Sequence, residues 1–349
     1  MKLVSALGLG LLVGSFVAAC GGSSDDSKDN PSSGGAGASA GAGGSGGLAG
    51  GATGGTAGGG AGAPGGTGGG PTGPKASECF ADIYDGPITV DYDQYNPSIG
   101  SHCLGTNHQD IQGVEKLVFL GDSITVGTVP TPGNSVYRAL LTAELTQKFP
   151  GLEVQNCAKN GADLGNLAGQ FAQCFPSGGD NKKTLIVFTM GGNDLVPMAK
   201  SKLSAADGIK AADGLLATLE AQVKAYKDPA KFPNGSFVMF ANVYEYTDAT
   251  TEMTSCPSAT FAGLTGTWPD GLAVFKHLRE GYLKIAVETK SDMIFMGEEF
   301  CGHGFRASKA DGQCYRGPNS ENWFDLTCIH PNPAGHAEIA AMFSAVVAE

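Results

Sequence analysis

Residues 117–125 read LVFLGDSIT, and this stretch decides the fold because an apolar run ends abruptly in a polar turn. The run LVFL has the length and composition of a strand that is buried on both faces. Gly121 and Asp122 are typical turn residues. They would place Ser123 at the carboxyl end of the strand, where an exposed hydroxyl can be reached by a base and by a substrate.

Five apolar runs of strand length, counting this one, lie along the chain, at residues 117–120, 154–156, 184–190, 236–243 and 293–296. Segments with apolar residues at helical spacing lie between and after these runs, at residues 136–148, 164–171, 209–226, 272–289 and 334–347. Strands that are apolar throughout and alternate with helices indicate a parallel sheet covered on both faces. We therefore predict an α/β fold, a three-layer α/β/α sandwich with a five-stranded parallel sheet, whose ligands bind beyond the carboxyl ends of the strands.

Three further predicted loops carry residues suited to catalysis. Residues 157–162, CAKNGA, follow the second strand, and residues 190–194, MGGND, follow the third. The backbone N–H of Gly161 and the side-chain amide of Asn193 are donors that could stabilise an oxyanion. His330, in the segment CIHPNPAGH at 328–336, is a candidate base because imidazole accepts and returns protons at neutral pH. His336 belongs to the last predicted helix, where we expect it to pack or to be exposed.

Together these four segments resemble the SGNH, or GDSL-type, hydrolase superfamily, in which Ser, Gly, Asn and His occur in this order. The resemblance spans about residues 116–340. It implies a flavodoxin-like sheet and a serine ester hydrolase that needs no metal or other cofactor. It also implies that Ser123 is the nucleophile and forms an acyl intermediate, and that His330 is the general base. The oxyanion hole would consist of the backbone N–H groups of Ser123 and Gly161 with the amide of Asn193.

The residue that orients His330 is where the sequence departs from this superfamily. There an aspartate usually lies three residues before the histidine, whereas here that position is Thr327 and the nearest acid is Asp325. An altered turn could absorb the two extra residues, so that Asp325 acts as the catalytic acid that orients the imidazole and stabilises its charged form. Alternatively, a main-chain carbonyl performs this role. Both interpretations stay open.

The N-terminal region predicts export and tethering. Lys2 precedes an apolar stretch at residues 3–19, and small residues lead directly to Cys20. This pattern resembles a bacterial lipoprotein signal, so we expect a signal peptide at 1–19 and a lipidated Cys20. Residues 20–76 are rich in Gly, Ala, Ser and Thr and are expected to form a disordered linker to a catalytic domain at 77–349. The alternative is an ordinary secretory signal in which Cys20 is incidental.

These features predict a location in the bacterial cell envelope. The lipid would anchor the chain to the outer membrane or the cell surface, and the catalytic domain would lie outside the cytoplasm. The formal net charge is -12 and no basic stripe is present, so nucleic acid is not expected as a partner. A monomer is favoured.

The cysteines predict disulfides. The chain has nine, and once Cys20 is assigned to lipid an even number is left in an exported domain. Proximity in sequence favours pairing Cys79 with Cys103 and Cys157 with Cys174. The pairing of the last four stays open: Cys256, Cys301, Cys314 and Cys328. No Cys-x-x-Cys motif occurs, and we predict no metal site.

Two long connections, residues 244–270 and 297–329, either form the walls of a substrate pocket or are surface segments that disulfides stabilise. The leading hypothesis is a lipid-anchored carboxylesterase or lipase. A phospholipase and a polysaccharide O-acetyl esterase are alternatives for the substrate, which would be a small-molecule, lipid or acetylated glycan ester. The alternative of another class is a catalytically silent surface lipoprotein that binds glycans or envelope components.

Overall fold

The structure is a computed structural model that describes residues 73–83 and 86–349. The expected signal peptide at 1–19, Cys20 and all but the last residues of the expected linker lie outside the described residues. Within the described ranges, no helix combines the length and the apolar character that a membrane span requires.

Five parallel strands form one sheet in the described part of the chain, in the order β2-β1-β3-β4-β5. The strands are β1 Lys116–Gly121, β2 Glu153–Asn156, β3 Thr184–Thr189, β4 Ser236–Ala241 and β5 Asp292–Ile294. This order is that of flavodoxin-like sheets, in which the connections change direction between β1 and β3. The predicted α/β fold and its parallel sheet are therefore confirmed.

The burial of the strands explains their composition. Every residue of β1 and β3 is buried, whereas β2, at the edge of the sheet, is largely exposed. A central strand covered on both faces has no polar side, so its sequence shows no alternation. This is why the run at residues 117–120 is apolar throughout.

Helices cover both faces of the sheet. The α-helices of the described residues are α1 Ala76–Cys79, α2 Ser123–Val126, α3 Tyr137–Lys148, α4 Leu167–Cys174, α5 Gly192–Ser201, α6 Ala205–Tyr226, α7 Gly271–Thr289, α8 Met296–Glu299 and α9 Pro333–Ala348. Short 3-10 turns lie at Asp93–Tyr95, Gly133–Ser135, Leu164–Asn166, Met253–Ser255 and Ala259–Ala262.

Ring contacts identify the two outer layers. On one face Phe119 of β1 packs edge-on against Tyr137 of α3, which stacks on Phe343 of α9. On the other face Phe188 of β3 packs against Tyr226 of α6, and α7 packs beside α6. The three-layer arrangement follows from these contacts.

Two parts of the structure differ from the sequence prediction. Helix α5, which begins at Gly192 and contains Asn193, was not predicted, because Gly191, Gly192 and Pro197 are poor helix formers. The last predicted strand ends earlier, at Ile294, and Met296 begins α8.

The ordered domain also begins before residue 77, the predicted boundary. Ala76 is fully buried and its N–H donates to Asp93 Oδ1 at 2.9 Å. Helix α1 is held further by the disulfide between Cys79 and Cys103. These contacts order residues that the composition alone assigns to the linker.

Four disulfides are formed among the described residues. Two of them, Cys79–Cys103 and Cys157–Cys174, are the pairs that proximity in sequence favours. The last four cysteines, whose pairing the sequence leaves open, form Cys256–Cys328 and Cys301–Cys314. Cys256–Cys328 joins the two long connections to each other.

Candidate active site

The turn after β1 presents Ser123 at the carboxyl edge of the sheet. Gly121 has φ +124°, and a Cβ there would lie 2.5 Å from the Thr189 carbonyl oxygen, so only glycine fits. Asp122 caps helix α2, because its Oδ1 accepts a hydrogen bond from the Ile124 N–H at 3.0 Å. Ser123 is the first residue of this helix, and its N–H therefore has no acceptor within the helix.

A buried polar network supports this turn from below. Asp122 Oδ1 accepts a second hydrogen bond from Thr189 Oγ1 at 2.9 Å. The hydroxyl of Thr189 lies 2.9 Å from that of Thr125, which lies 2.6 Å from the Tyr137 hydroxyl. The network joins the ends of β1 and β3 to α3, and so holds the serine turn against the sheet.

His330 contacts Ser123 directly. The distance from His330 Nε2 to Ser123 Oγ is 2.8 Å, which is the hydrogen bond that a base needs in order to take the serine proton. The two residues are far apart in the sequence. They meet because Ser123 follows β1 and His330 precedes α9 at the same edge of the sheet.

The other nitrogen of His330 faces Thr327 and not Asp325. Nδ1 lies 2.7 Å from Thr327 Oγ1, and this hydroxyl donates to Asp325 Oδ1 at 2.5 Å. Asp325 is therefore linked to the imidazole through Thr327 and not by a direct hydrogen bond, and a side-chain hydroxyl takes the position considered for a main-chain carbonyl. The two extra residues form a turn that the Asp325 N–H closes by donating to the His330 carbonyl at 2.9 Å.

The loop that carries His330 is fixed at several points. The Tyr244 hydroxyl donates to the Ile329 carbonyl at 2.7 Å. Cys328, within the turn, has φ +74° and is bonded to Cys256. Asn332 caps α9 by accepting from the Gly335 N–H at 3.0 Å. These contacts restrict the position of the imidazole.

Asn193 and Gly161 lie on the neighbouring loops. Asn193 Nδ2 donates to the Ala162 carbonyl at 2.7 Å, and since an amide nitrogen has two hydrogens, the second can serve a ligand. Gly161, next to Ala162, is exposed and has φ +71°. Of the predicted oxyanion donors, Ser123 and Asn193 line one cavity together with His330, whereas Gly161 lies outside the lining of that cavity.

Burial sets the protonation of the groups around Ser123. It lowers the pKa of His330 below the ordinary 6.5, although the charge of Asp325 opposes this. It lowers the pKa of His336, which stacks on Tyr137 in the core, to about 4. Burial also raises the pKa of Asp122 to about 7. His330 is therefore neutral at pH 7 and can act as a base.

An apolar cavity extends from Ser123. It lies between α5, the start of α7 and the connection at 244–270, and its aliphatic and aromatic lining includes Leu195, Val196, Met253, Leu264, Trp268, Leu272 and Phe275. The connection at 244–270 thus forms a pocket wall. From the connection at 297–329 only Ile329 reaches the lining.

The structure brings Ser123, His330 and Asn193, the residues proposed from the sequence, to one cavity, but the residues that hold them were not predicted. Gln170 is one: its amide bonds both backbone groups of Gly121, at 2.7 and 2.8 Å. Thr327 is another such residue. It stands out in the sequence only because it occupies the position where an aspartate was expected. Gln170 is a polar residue on the apolar face of a predicted helix, and this pattern could have indicated a buried hydrogen-bonding role.

Comparison with known proteins identifies a family. The sequence profile of the GDSL-like Lipase/Acylhydrolase family matches residues 119–338. Among curated protein sequences, no significant match to this chain was found.

Several solved structures share parts of the fold at low identity. The extracellular lipase from Streptomyces rimosus is 16% identical, with a TM-score of 0.44 over 67% of this chain and 100% of that chain. A catalytic mutant of an acetylxylan esterase from Geobacillus stearothermophilus is 18% identical, with a TM-score of 0.44 over 69% of this chain and 97% of that one. The phospholipase A1 from Streptomyces albidoflavus is 18% identical, with a TM-score of 0.43 over 66% and 98% of the two chains.

Proposed function

This chain belongs to the GDSL-like lipase/acylhydrolase family and hydrolyses ester bonds, and we propose that it does so through Ser123 on esters with an apolar acyl group. The observation that carries the proposal is the contact of 2.8 Å between Ser123 Oγ and His330 Nε2, in which the serine hydroxyl donates, at the mouth of an apolar cavity. A nucleophile beside a neutral base, with an apolar space next to it, suits attack on an acyl ester.

The proposed reaction has two halves. His330 Nε2 takes the proton of Ser123 Oγ as this oxygen bonds to the acyl carbon, and the negative charge moves to the former carbonyl oxygen. The N–H of Ser123 and the amide of Asn193 stabilise that charge, with the N–H of Gly161 as a third donor. The imidazolium then protonates the leaving alcohol. In the second half His330 activates water, which releases the acid from acyl-Ser123.

The lining of the cavity favours an acyl chain over an acetylated sugar. Aliphatic and aromatic side chains dominate it, and binding an acyl chain there removes apolar surface from water at about 25 cal/mol for each Å². A sugar would bring hydroxyl groups that need hydrogen-bond partners. We therefore favour a carboxylesterase or lipase activity over polysaccharide deacetylation.

We further propose that lipid on Cys20 anchors the enzyme in the cell envelope. Support comes from the apolar segment at 3–19 and the small residues before Cys20. Mass spectrometry of the mature N-terminal peptide would detect a diacylated Cys20. Release of a Cys20→Ala variant into the medium is the expected companion result, and an unmodified cysteine in the mature chain would contradict the anchor.

The activity is tested with p-nitrophenyl esters of increasing acyl length and with an alkyl fluorophosphonate that labels active serines. We expect hydrolysis and labelling at Ser123, and loss of both in Ser123→Ala with unchanged thermal unfolding. Leu272→Trp should fill the cavity and reduce kcat/KM for long esters more than for acetate, whereas Leu272→Met should not. A chain that hydrolyses no ester and takes no label would fit the silent lipoprotein instead.

A further inference from the structure

The link between His330 and Asp325 passes through a single side chain. The hydroxyl of Thr327 lies 2.7 Å from Nδ1 of His330 and 2.5 Å from Oδ1 of Asp325. Together with the contact to Ser123 at 2.8 Å, four side chains form one unbroken row of hydrogen bonds. We propose that Thr327 is a positioning residue that sets the tautomer of His330 and transmits the charge of Asp325 to it.

Counting hydrogens fixes the direction of each bond. A carboxylate only accepts, and a threonine hydroxyl has one hydrogen to donate. Thr327 therefore donates to Asp325 and accepts from His330 Nδ1–H. The imidazole proton is then on Nδ1, and Nε2 has the free lone pair that Ser123 needs. The tautomer that supports catalysis follows from the row itself.

The backbone reinforces this direction. The Thr327 N–H also donates to Asp325 Oδ1, at 2.7 Å. Two donors from one residue converge on one oxygen, so Asp325 keeps the Thr327 hydroxyl turned toward it. The hydroxyl then has only its lone pairs to offer to His330.

Asp325 is suited to respond to charge on His330. It is 6% exposed, and its second oxygen, Oδ2, is buried without a hydrogen-bond partner among the described residues. A buried carboxylate with an unpaired oxygen is poorly stabilised when the imidazole is neutral. It is better stabilised when His330 becomes an imidazolium, and this difference favours the transition state over the ground state.

No proton needs to reach Asp325. The proton leaving Ser123 Oγ goes to Nε2, Nδ1 keeps its proton, and Thr327 keeps its hydroxyl hydrogen. Positive charge on the ring strengthens the bond from Nδ1–H to the Thr327 hydroxyl, because bonds to charged groups are stronger than neutral ones, and the hydroxyl is thereby polarised toward Asp325. The acid of a serine triad likewise takes no proton during the reaction.

The inference rests on the proposed function and is tested with four variants: Thr327→Val, Thr327→Ser, Asp325→Asn and the double variant Thr327→Val/Asp325→Asn. Thr327 is exposed, so the valine variant should fold, which thermal unfolding checks. We expect kcat to fall about 10- to 1,000-fold in Thr327→Val, less than the ~10⁴-fold loss when a directly bonded triad acid is made neutral. Thr327→Ser, which keeps the hydroxyl, should stay within about threefold of the parent.

Two measurements, the activity of the double variant and the tautomer of His330, show whether Thr327 and Asp325 act together through one row or independently of each other. Because both substitutions interrupt the same row, the double variant should lose no more activity than the worse single variant. Nitrogen-15 NMR of His330 should show Nδ1 protonated in the parent chain and in Thr327→Ser. In Thr327→Val the proton should move in part to Nε2, a change that a purely structural role would not produce.

Additive losses in the double variant, or an unchanged tautomer in Thr327→Val, would overturn the inference. The NMR measurement needs no turnover. If the parent chain hydrolysed no ester, the proposed function would be refuted. The NMR measurement of the His330 tautomer would still test whether Thr327 links His330 to Asp325. If the parent were active and Thr327→Val were equally active, the row alone would be refuted.

Discussion

The side-chain amide of Gln170 pairs with the backbone of Gly121 as a neighbouring strand would. Its Oε1 accepts from the Gly121 N–H at 2.7 Å, and its Nε2 donates to the Gly121 carbonyl at 2.8 Å. Gln170 is 1% exposed. A helix on one face of the sheet thereby fixes the last residue of β1, two positions before the nucleophile.

Replacing Gln170 with methionine should impair catalysis more than binding. The substitution keeps the length of the side chain but leaves two buried backbone groups of Gly121 without this partner, at a cost of about 1–3 kcal/mol. We expect a lower thermal midpoint and a lower kcat with little change in KM, because the serine turn is less well held. Gln173→Met, at an exposed position of the same helix, is the matched control, and equal effects of the two variants would contradict the role of Gln170.

Loss of the Asn193 amide should remove an oxyanion donor. Asn193→Ala is expected to lower kcat about 10²- to 10³-fold, since this donor acts on charge that develops in the transition state. Steady-state kinetics with a short p-nitrophenyl ester measure this. The exposed Asn319→Ala serves as the control. A loss confined to KM would show that Asn193 binds the ground state only.

The acid limb of the pH profile should report His330. Burial lowers its pKa below 6.5, and a protonated Nε2 cannot accept the serine proton, so kcat/KM should persist below pH 6.5 before it falls. Asp325→Asn removes the charge that raises this pKa, so the limb should shift to lower pH. An inflection near 7 would belong to Asp122, whose pKa is raised to about 7, and should disappear in Asp122→Asn.

The same carboxyl group predicts a pH-dependent stability. Because burial raises the pKa of Asp122 from 3.8 to about 7, the folded chain holds a proton that the unfolded chain releases. This contribution is fully present below pH 4 and is lost as pH rises toward 7, by at most about 1.4 kcal/mol for each pH unit. Asp122→Asn should remove the loss. We therefore expect the free energy of unfolding of the variant, relative to that of the parent, to be higher at pH 8 than at pH 5 in denaturant unfolding. A difference that is the same at both pH values would refute the assignment.

The parallel sheet and the place of the site could be predicted from the sequence to a large extent, whereas the order of the strands came from the structure. The continuous apolar runs at 117–120 and 184–190 can only be central strands, because a half-exposed strand would alternate. Parallel strands bring their carboxyl ends to one edge, and this is why Ser123, Asn193 and His330 could be assigned to one site. Helix α5 could not be predicted, because tertiary contacts override the poor helix propensity of its glycines and proline.

What the sequence by itself determined is the set of candidate groups: a serine, an asparagine and a histidine, each at a position that the periodicity of the chain places at the same edge. What only the tertiary structure decided is how these groups are held. Thr327 lies between His330 and Asp325 because a turn of six residues, from Asp325 to His330, closes on itself and is bonded to the distant Cys256. Gln170 lies on α4, in an outer layer, and bonds Gly121 at the end of β1, in the sheet. Such contacts depend on side-chain directions and on distances between segments remote in sequence, and no local pattern encodes either.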